Sequence, residues 1–276
     1  MTRDFVRRSV FAAAVVGMAP MALASGPYAS SVVAFDPGQL PSTYYGDPNA
    51  ALGSPARDTG EGDYAGVVSM FNPPYNLDQI VSISERGFLT LQLDTPVTDD
   101  PGHLYGVDLN VFGNGGLADL DYPQGQNWSP AVSFGFDPMR ISVSADGVHF
   151  VPLPQLYTEG LFPTQGYLDA GPFDLSGSVP ADFTRPMNPA LTLNSFSGLS
   201  FAETLALYDG SGGGTPVDIS ASGLSQVSYV RIEVPDDGDP FSTAAVEIDG
   251  LAVVPEPTSL LLLVAGLLAQ SRRGRG

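Results

Sequence analysis

Hydrophobic and polar residues alternate with a period of two in several separate stretches of this chain. In segment 89–93 three leucines point to one side of an extended backbone, and Thr90 and Gln92 point to the other. The same kind of pattern predicts further strands at 32–35, 80–83, 107–111, 141–145, 148–151, 229–234 and 244–251. Because no stretch sustains a helical period, the pattern predicts an all-β chain of about nine strands.

Turn-forming residues separate the predicted strands. The chain has 32 Gly and 25 Pro among 276 residues, which favours many turns and short strands. Asp146-Gly147 is a typical two-residue hairpin turn. Segments 114–130 and 155–226 are predicted to be long polar loops, with a flexible Gly-rich turn at 210–214. Since 43% of the residues are hydrophobic, the sequence predicts one antiparallel two-sheet sandwich of jelly-roll type.

The first 24 residues have the features of an export signal. Arg3, Arg7 and Arg8 precede an apolar stretch, and Ala22-Leu23-Ala24 provides the small-x-small pattern that signal peptidase requires. We therefore predict a signal peptide over residues 1–24 and Ser25 as the first mature residue. The twin-arginine pattern around Arg7-Arg8 is incomplete, so the general secretory route is favoured over the twin-arginine route.

The C-terminal segment combines a short motif, an apolar run and basic residues. Pro255-Glu256-Pro257 is followed by the apolar run 260–269 and then by Arg272, Arg273 and Arg275. A membrane-spanning helix needs about 20 apolar residues, so this run is short for a permanent anchor. Basic residues behind such a run stay on the cytoplasmic side, which places the preceding domain outside.

This order of features resembles the PEP-CTERM sorting signal of Gram-negative bacteria that make exopolysaccharide. The resemblance covers residues 255–276, and Pro255, Glu256 and Pro257 match the core of the motif. The hydrophobic run is shorter than the family usually shows, and an ordinary tail anchor is the alternative. The resemblance implies recognition by an exosortase, a transient hold in the inner membrane, and delivery to the cell surface or extracellular matrix.

Four short segments in the predicted domain, residues 25–254, carry a second resemblance. They are similar to bacterial surface jelly rolls of the discoidin or galactose-binding type, and they lie at 106–114, 143–147, 229–232 and 247–249. This resemblance implies a secreted or surface-attached sandwich without an assigned activity.

The mature chain is strongly acidic. Without residues 1–24 and 258–276, five Arg remain against 29 acidic residues, a net charge of −24. Such a polyanion repels nucleic acid and attracts multivalent cations, so nucleic acid is excluded as a partner. Because the chain has no Cys, disulfides and thiolate metal sites are excluded as well.

Oxygen-bearing side chains on two predicted strands indicate a calcium site. Asp108 and Asn110 lie two residues apart on one strand, and Asn114 follows at the turn. Glu247 and Asp249 lie two apart on the last strand. Calcium takes about six to eight oxygen ligands, and we predict that these two segments supply them if they meet. A solvated polar face on each strand is the alternative.

Catalytic residues are scarce. His103 and His149 are the only histidines, and both are predicted to be ordinary surface or strand residues. Neither belongs to a nucleophile elbow, and two separated histidines do not make a zinc site. The chain is therefore predicted not to be an enzyme, and a secreted hydrolase with a carboxylate pair is the third-ranked reading.

A structural or matrix role at the cell envelope is the first functional hypothesis, and glycan binding is the second. Trp128, the only tryptophan, lies in a predicted polar loop and is the candidate glycan contact. Four further aromatic residues fall in predicted loops, namely Tyr122, Tyr157, Phe162 and Tyr167. The partner in this case would be exopolysaccharide or another glycan.

Overall fold

The computed structural model describes residues 26–60, 62, 64–239 and 242–256. The predicted signal peptide, Pro257 of the motif and the predicted hydrophobic tail lie outside these residues. Within the described part, none of the helices has the length and apolar character needed to cross a bilayer.

Twelve strands and one α-helix lie in the described residues. The strands are β1 (Ala29–Asp36), β2 (Val81–Ser84), β3 (Phe88–Thr98), β4 (Leu109–Gly113), β5 (Gly116–Leu117), β6 (Ser133–Phe134), β7 (Pro138–Ser144), β8 (Val151–Pro152), β9 (Tyr157–Thr158), β10 (Thr215–Val217), β11 (Gln226–Glu233) and β12 (Ala245–Val253). The helix is α1 (Phe201–Tyr208), and short 3-10 segments occur at Pro48–Ala51, Leu104–Gly106, Leu193–Phe196 and Ser220–Ser222.

Two main sheets organise the molecule. The larger sheet has the order β1-β3-β11-β7-β8, with β9 also paired to β7. The second sheet has the order β10-β4-β12-β2, and β5 and β6 form a separate short ribbon. All of these named strand pairs are antiparallel. The predicted all-β, two-sheet antiparallel sandwich is therefore confirmed.

The main hydrophobic core lies between the two sheets. Leu89 and Leu91 of β3 stand opposite Ile232 and Val230 of β11 in the larger sheet. These four residues belong to one buried cluster that also contains the inward residues of the second sheet, among them Ile248. Full burial of each such side chain stabilises the folded state by about 1.5–3 kcal/mol. The hydrophobic residues that alternate with period two in the sequence therefore form the main stabilising contact.

β7 and β8 form the predicted hairpin around Asp146-Gly147, but the predicted two-residue turn is wrong, because residues 144–150 connect the paired strand residues. β7 and β8 pair through Val143 and Val151. The Asp146 carboxylate accepts hydrogen bonds from the backbone N–H groups of Val148 (2.9 Å) and His149 (2.8 Å), which holds these residues in the turn. His149 is therefore an exposed turn residue, and its predicted place in a strand was wrong.

Residues 155–226 form a packed layer, which corrects the prediction of a long polar loop. They contain β9, α1 and β10, and they help to form a second buried cluster. Its buried members are Met70, Phe71, Leu117, Ala131, Phe162, Met187, Phe196 and Tyr208.

The sequence pattern did not predict helix α1, because the helix is only about two turns long and shows no sustained helical period. Its start carries a capping box: the Glu203 N–H donates to Ser200 Oγ (3.4 Å), and the Ser200 N–H donates to Glu203 Oε2 (2.9 Å). Ser-x-x-Glu before an apolar run is a known helix-start pattern and could have predicted this helix. The helix ends at Tyr208, and the next residue, Asp209, adopts a left-handed conformation.

The packed layer covers the outer face of the second sheet. Leu109 and Val111 of β4 face the sandwich core, whereas Phe112 faces the other way and packs edge-on against Phe183 at 5.1 Å between ring centroids. Gly213 shows how closely the layer is packed: its φ is +84°, and a Cβ there would lie 2.3 Å from the Pro163 carbonyl oxygen. Segment 210–214 is thus a tightly packed connection, not the flexible turn that its composition predicted.

Candidate functional site

The predicted calcium ligands at β4 lie in three different surroundings. Asp108 and Asn110 are completely buried, because they share the covered face with Phe112. Asn110 Nδ2 donates to the carbonyl oxygen of Phe183 (3.0 Å). Asn114 is partly exposed and lines a groove described below. The alternative of a solvated polar strand face is therefore wrong for Asp108 and Asn110.

The predicted ligands on β12 have other partners. Glu247 Oε1 accepts a hydrogen bond from Ser82 Oγ (2.8 Å). Both carboxylate oxygens of Asp249 accept from the N–H of Ala56, at 3.1 and 3.0 Å. Burial raises the pKa of Asp249 to about 8, so this carboxyl is mainly protonated at neutral pH and is a poor cation ligand.

The three acidic members of the predicted ligand set, Asp108, Glu247 and Asp249, do not come together in one group. The described residues contain three groups of three acidic or histidine side chains whose ligand atoms lie within 4.8 Å of one another. Neither Glu247 nor Asp249 belongs to any of these groups, and Asp108 meets Asp99 and Asp218 instead.

A buried acid that the sequence did not suggest lies beneath β12. Glu159 is completely buried, and its Oε2 accepts a hydrogen bond from the backbone N–H of Glu247. Burial, together with the nearby charge of Glu247, raises the pKa of Glu159 well above its usual value. Because Glu159 has no exposed surface, it acts as a neutral structural group and offers no carboxylate to a substrate.

His103 is buried, although the sequence predicted a surface or strand histidine. It follows a turn in which its N–H donates to the carbonyl oxygen of Asp100 (2.9 Å). Its Nδ1 lies 2.7 Å from Asp108 Oδ1, and Asp108 Oδ2 accepts from the Ile219 N–H (2.9 Å). Burial raises the pKa of Asp108, whereas these two hydrogen bonds oppose the rise.

The other ring nitrogen of His103 faces the motif predicted for sorting. Nε2 lies 3.5 Å from Glu256 Oε2, and it makes no hydrogen bond to any described residue. Thr98 Oγ1 donates to the second oxygen of Glu256. Asp100 is the third member of this group, and hydrogen bonds from the N–H of Gly102 and with the side chain of Glu256 lower the pKa of Asp100. Glu256 thus docks on the domain, a contact that the sequence did not predict.

An aromatic groove of about 530 Å³ lies away from these acids. Six aromatic side chains from distant stretches of the chain line it, namely Tyr64, Phe71, Tyr75, Tyr122, Phe134 and Phe173. Tyr64, Tyr122 and Phe134 expose 60%, 66% and 47% of their surface. Polar atoms come from Asn72, Asn114 and Asp119. Exposed aromatic residues grouped in a concave surface with a few polar groups are typical of ligand sites.

Two features hold the groove in shape. Tyr122 packs edge-on against Phe173 at 4.8 Å, and Tyr64 packs edge-on against Tyr75 at 6.5 Å. The Asp119 carboxylate accepts hydrogen bonds from three backbone N–H groups of the loop that carries Tyr122, those of Asp121 (2.9 Å), Gly125 (2.9 Å) and Gln126 (2.8 Å). The loop therefore presents Tyr122 in a defined position.

The predicted glycan contact Trp128 does not line this groove. It exposes 46% of its surface, and its carbonyl oxygen accepts from the Gly198 N–H (2.8 Å). Of the other aromatic residues predicted in loops, Tyr122 lines the groove, whereas Tyr157 and Phe162 are buried. The hydroxyl of Tyr167 donates to Asp58 Oδ2 (3.0 Å).

Comparison with known proteins adds no relative: no protein-family model matches the chain, and neither does any curated protein.

Proposed function

We propose that this chain is an exported cell-surface protein whose β-sandwich binds a neutral glycan in the aromatic groove and does no catalysis. The observation that carries the proposal is the group of exposed aromatic side chains, Tyr64, Tyr122 and Phe134, on one concave surface. The volume of about 530 Å³ is sufficient for a few sugar rings.

A sugar ring has apolar C–H faces and polar hydroxyl groups at its edge. Tyrosine combines a large apolar ring with a polar hydroxyl, so it can contact both parts of a sugar. Asn114 adds an amide group without charge at the groove, and the Asp119 carboxylate already accepts three backbone hydrogen bonds. The mature protein carries a large negative charge, which repels an anionic polysaccharide. These properties together favour a neutral glycan.

The two ends of the sequence support export and sorting. The signal peptide over residues 1–24 directs the chain to signal peptidase, and Pro255-Glu256-Pro257 with its hydrophobic tail directs it to an exosortase. β12 ends at Val253, so the motif follows a central strand of the second sheet almost directly. The domain would thus be held at the inner membrane and then released to the cell surface or the extracellular matrix.

We also propose that the sandwich is a jelly roll of the galactose-binding type. Strands far apart in sequence are neighbours in both sheets, as β3 with β11 and β4 with β12. Such long-range antiparallel pairing supports a Greek-key or jelly-roll connection between the sheets.

The geometry gives little support to the hydrolase alternative. A glycosidase needs two carboxyl groups that reach a substrate in a groove. Glu159 lies near Glu247 and is completely buried, and the nitrogen of His103 that would activate a nucleophile faces the carboxylate of Glu256. A serine-type mechanism needs a hydroxyl at that position.

Glycan binding is tested with a glycan array and with titration of the best neutral oligosaccharide into the purified full chain. Tyr122→Ala should weaken binding at least tenfold, because it removes the most exposed ring of the groove. Tyr44→Ala is the matched control, since Tyr44 exposes 74% of its surface and does not line the groove. Equal loss of binding in both variants, or no binding by the native protein, would contradict the proposed ligand.

Export and sorting are tested separately in cells. The mature N-terminus should be Ser25, which Edman or intact-mass analysis measures. Glu256→Ala should leave uncut precursor in the inner membrane, whereas His103→Gln keeps the motif intact and should be processed. A Glu256→Ala protein that reaches the surface normally would exclude the sorting role of the motif.

A further inference from the structure

We propose that Asp100, His103 and Glu256 form a binding site for a divalent transition-metal ion of the zinc type, with Asp108 orienting the histidine. These three residues form one of the groups whose ligand atoms lie within 4.8 Å of one another. The site is independent of the glycan groove, and it is not the calcium site that the sequence predicted.

The unpartnered nitrogen of His103 is the observation that points to a ligand. The His103 side chain is completely buried, and its Nε2 makes no hydrogen bond to the described residues. In the tautomer in which Nδ1–H donates to Asp108, Nε2 carries the lone pair that can bind a metal ion. A buried nitrogen without a hydrogen-bond partner is unfavourable, and a cation held between Nε2 and the carboxyl groups of Asp100 and Glu256 would supply the missing partner.

The distances fit a small metal ion. Two ligands of a tetrahedral zinc ion, each at about 2.1 Å from the metal, are about 3.4 Å apart. The distance from His103 Nε2 to Glu256 Oε2 is 3.5 Å. Asp100, whose ligand atom lies within 4.8 Å of those of His103 and Glu256, would be the third protein ligand, and water would take the fourth position.

Neighbouring residues hold two of the proposed metal ligands in position. A carboxylate on the second nitrogen of a ligating histidine sets its tautomer and its orientation, and Asp108 provides it. Thr98 holds Glu256 through its other oxygen. Solvent reaches the group through Glu256, which lines a groove of about 440 Å³ and whose side chain is partly exposed.

The other two acidic groups lack this feature. Both oxygens of Glu85 have donors, the Gln39 side chain (2.6 Å) and the Asp237 N–H (3.0 Å), and Asp236 pairs with Arg86. The group of Asp99, Asp108 and Asp218 contains no unpartnered nitrogen. A nitrogen with two carboxylates favours zinc or a similar ion, whereas calcium and magnesium prefer oxygen ligands throughout.

The test measures zinc affinity of the full chain, stripped of metal with a chelator and purified in detergent. Competition with a fluorescent zinc indicator should show one tight site per chain. Glu256→Gln and Asp100→Asn should each raise the Kd for zinc at least about tenfold, and His103→Gln should abolish tight binding. Glu256 is partly exposed, so its variant keeps the fold even if the buried His103 variant does not.

Asp99→Asn is the matched control, because Asp99 is an exposed neighbour outside the group. It should bind zinc like the native protein. Calcium at the same concentration should not compete, whereas cobalt should occupy the site and give a visible absorption spectrum. Three results would each overturn the site: no tight zinc binding, unchanged zinc affinity in both Glu256→Gln and Asp100→Asn, or equal competition by calcium. In any of these cases His103 serves only to dock Glu256.

Discussion

Asp249 makes the stability of this protein depend on pH in a way that can be calculated. Its carboxyl is 3% exposed, and burial raises its pKa to about 8. In the unfolded chain the pKa of an aspartate is about 3.9. Between these two values the folded protein holds one proton more than the unfolded chain. The contribution of Asp249 to stability is therefore fully present below pH 4 and is lost as the pH rises towards 8.

The magnitude follows from the slope of about 1.4 kcal/mol for each pH unit. Between pH 5 and pH 7 the native protein should lose about 2.7 kcal/mol through this group alone. Asp249→Asn keeps an acceptor for the Ala56 N–H and cannot ionise. Relative to the native protein, the variant should therefore gain about 2.7 kcal/mol over this range, or about 5 to 10 °C in Tm.

Chemical denaturation followed by the fluorescence of the single tryptophan, Trp128, measures the effect at pH 5, 6 and 7. Asp94→Asn on β3 is the control, because it removes one negative charge from an exposed position. Other titrating acids, including Glu159, are common to all three proteins and cancel in the difference. A difference between native protein and Asp249→Asn that stays constant with pH would refute the calculation, and an opposite slope would show an ionised, stabilised carboxylate.

Three further substitutions and one control, Gly223→Ala, test the packed layer formed by residues 155–226, with unfolding free energy as the measurement. Gly213→Ala should lower the unfolding free energy by at least about 2 kcal/mol, because its Cβ would lie 2.3 Å from the Pro163 carbonyl oxygen. Gly223 also has a positive φ but has open space around it, so Gly223→Ala should lower the unfolding free energy by only about 1 kcal/mol. Tyr208→Phe should cost about 1–2 kcal/mol through loss of its buried hydrogen bond to Pro163 (2.7 Å), and no loss would show that water replaces it. Arg57→Lys should lower the unfolding free energy by about 2 kcal/mol, because Arg57 donates to two carbonyl oxygens and lies 4.1 Å from the centre of the Phe183 ring. An unchanged unfolding free energy would mean that Arg57 does not hold the layer in place.

Much of the sandwich was predictable from residue order alone. Strands with period-two alternation, such as segment 89–93, lie where they were expected, because alternation determines which side chains share a face. The hairpin around Asp146-Gly147 was predictable because turn chemistry is local, whereas the length of its connection was not. The Ser200–Glu203 capping box was also readable, and helix α1 could have been predicted from it.

The candidate sites depended on contacts between residues far apart in the chain. Period two placed Asp108 and Asn110 on one face, but only the folded chain shows that Phe183 and its neighbours cover that face. For the same reason the sequence predicts an ordinary surface or strand residue at His103, although the turn after β3 buries this side chain against Asp108.

The sequence by itself therefore determined the long alternating strands and their inward faces, because these depend on local pattern. The tertiary structure decided which polar groups lose their water, which aromatic residues share a groove, and where Glu256 docks. The physical reason is that backbone geometry fixes the direction of a side chain within one or two residues. What lies opposite that side chain is set by long-range packing, and burial and pKa follow from it.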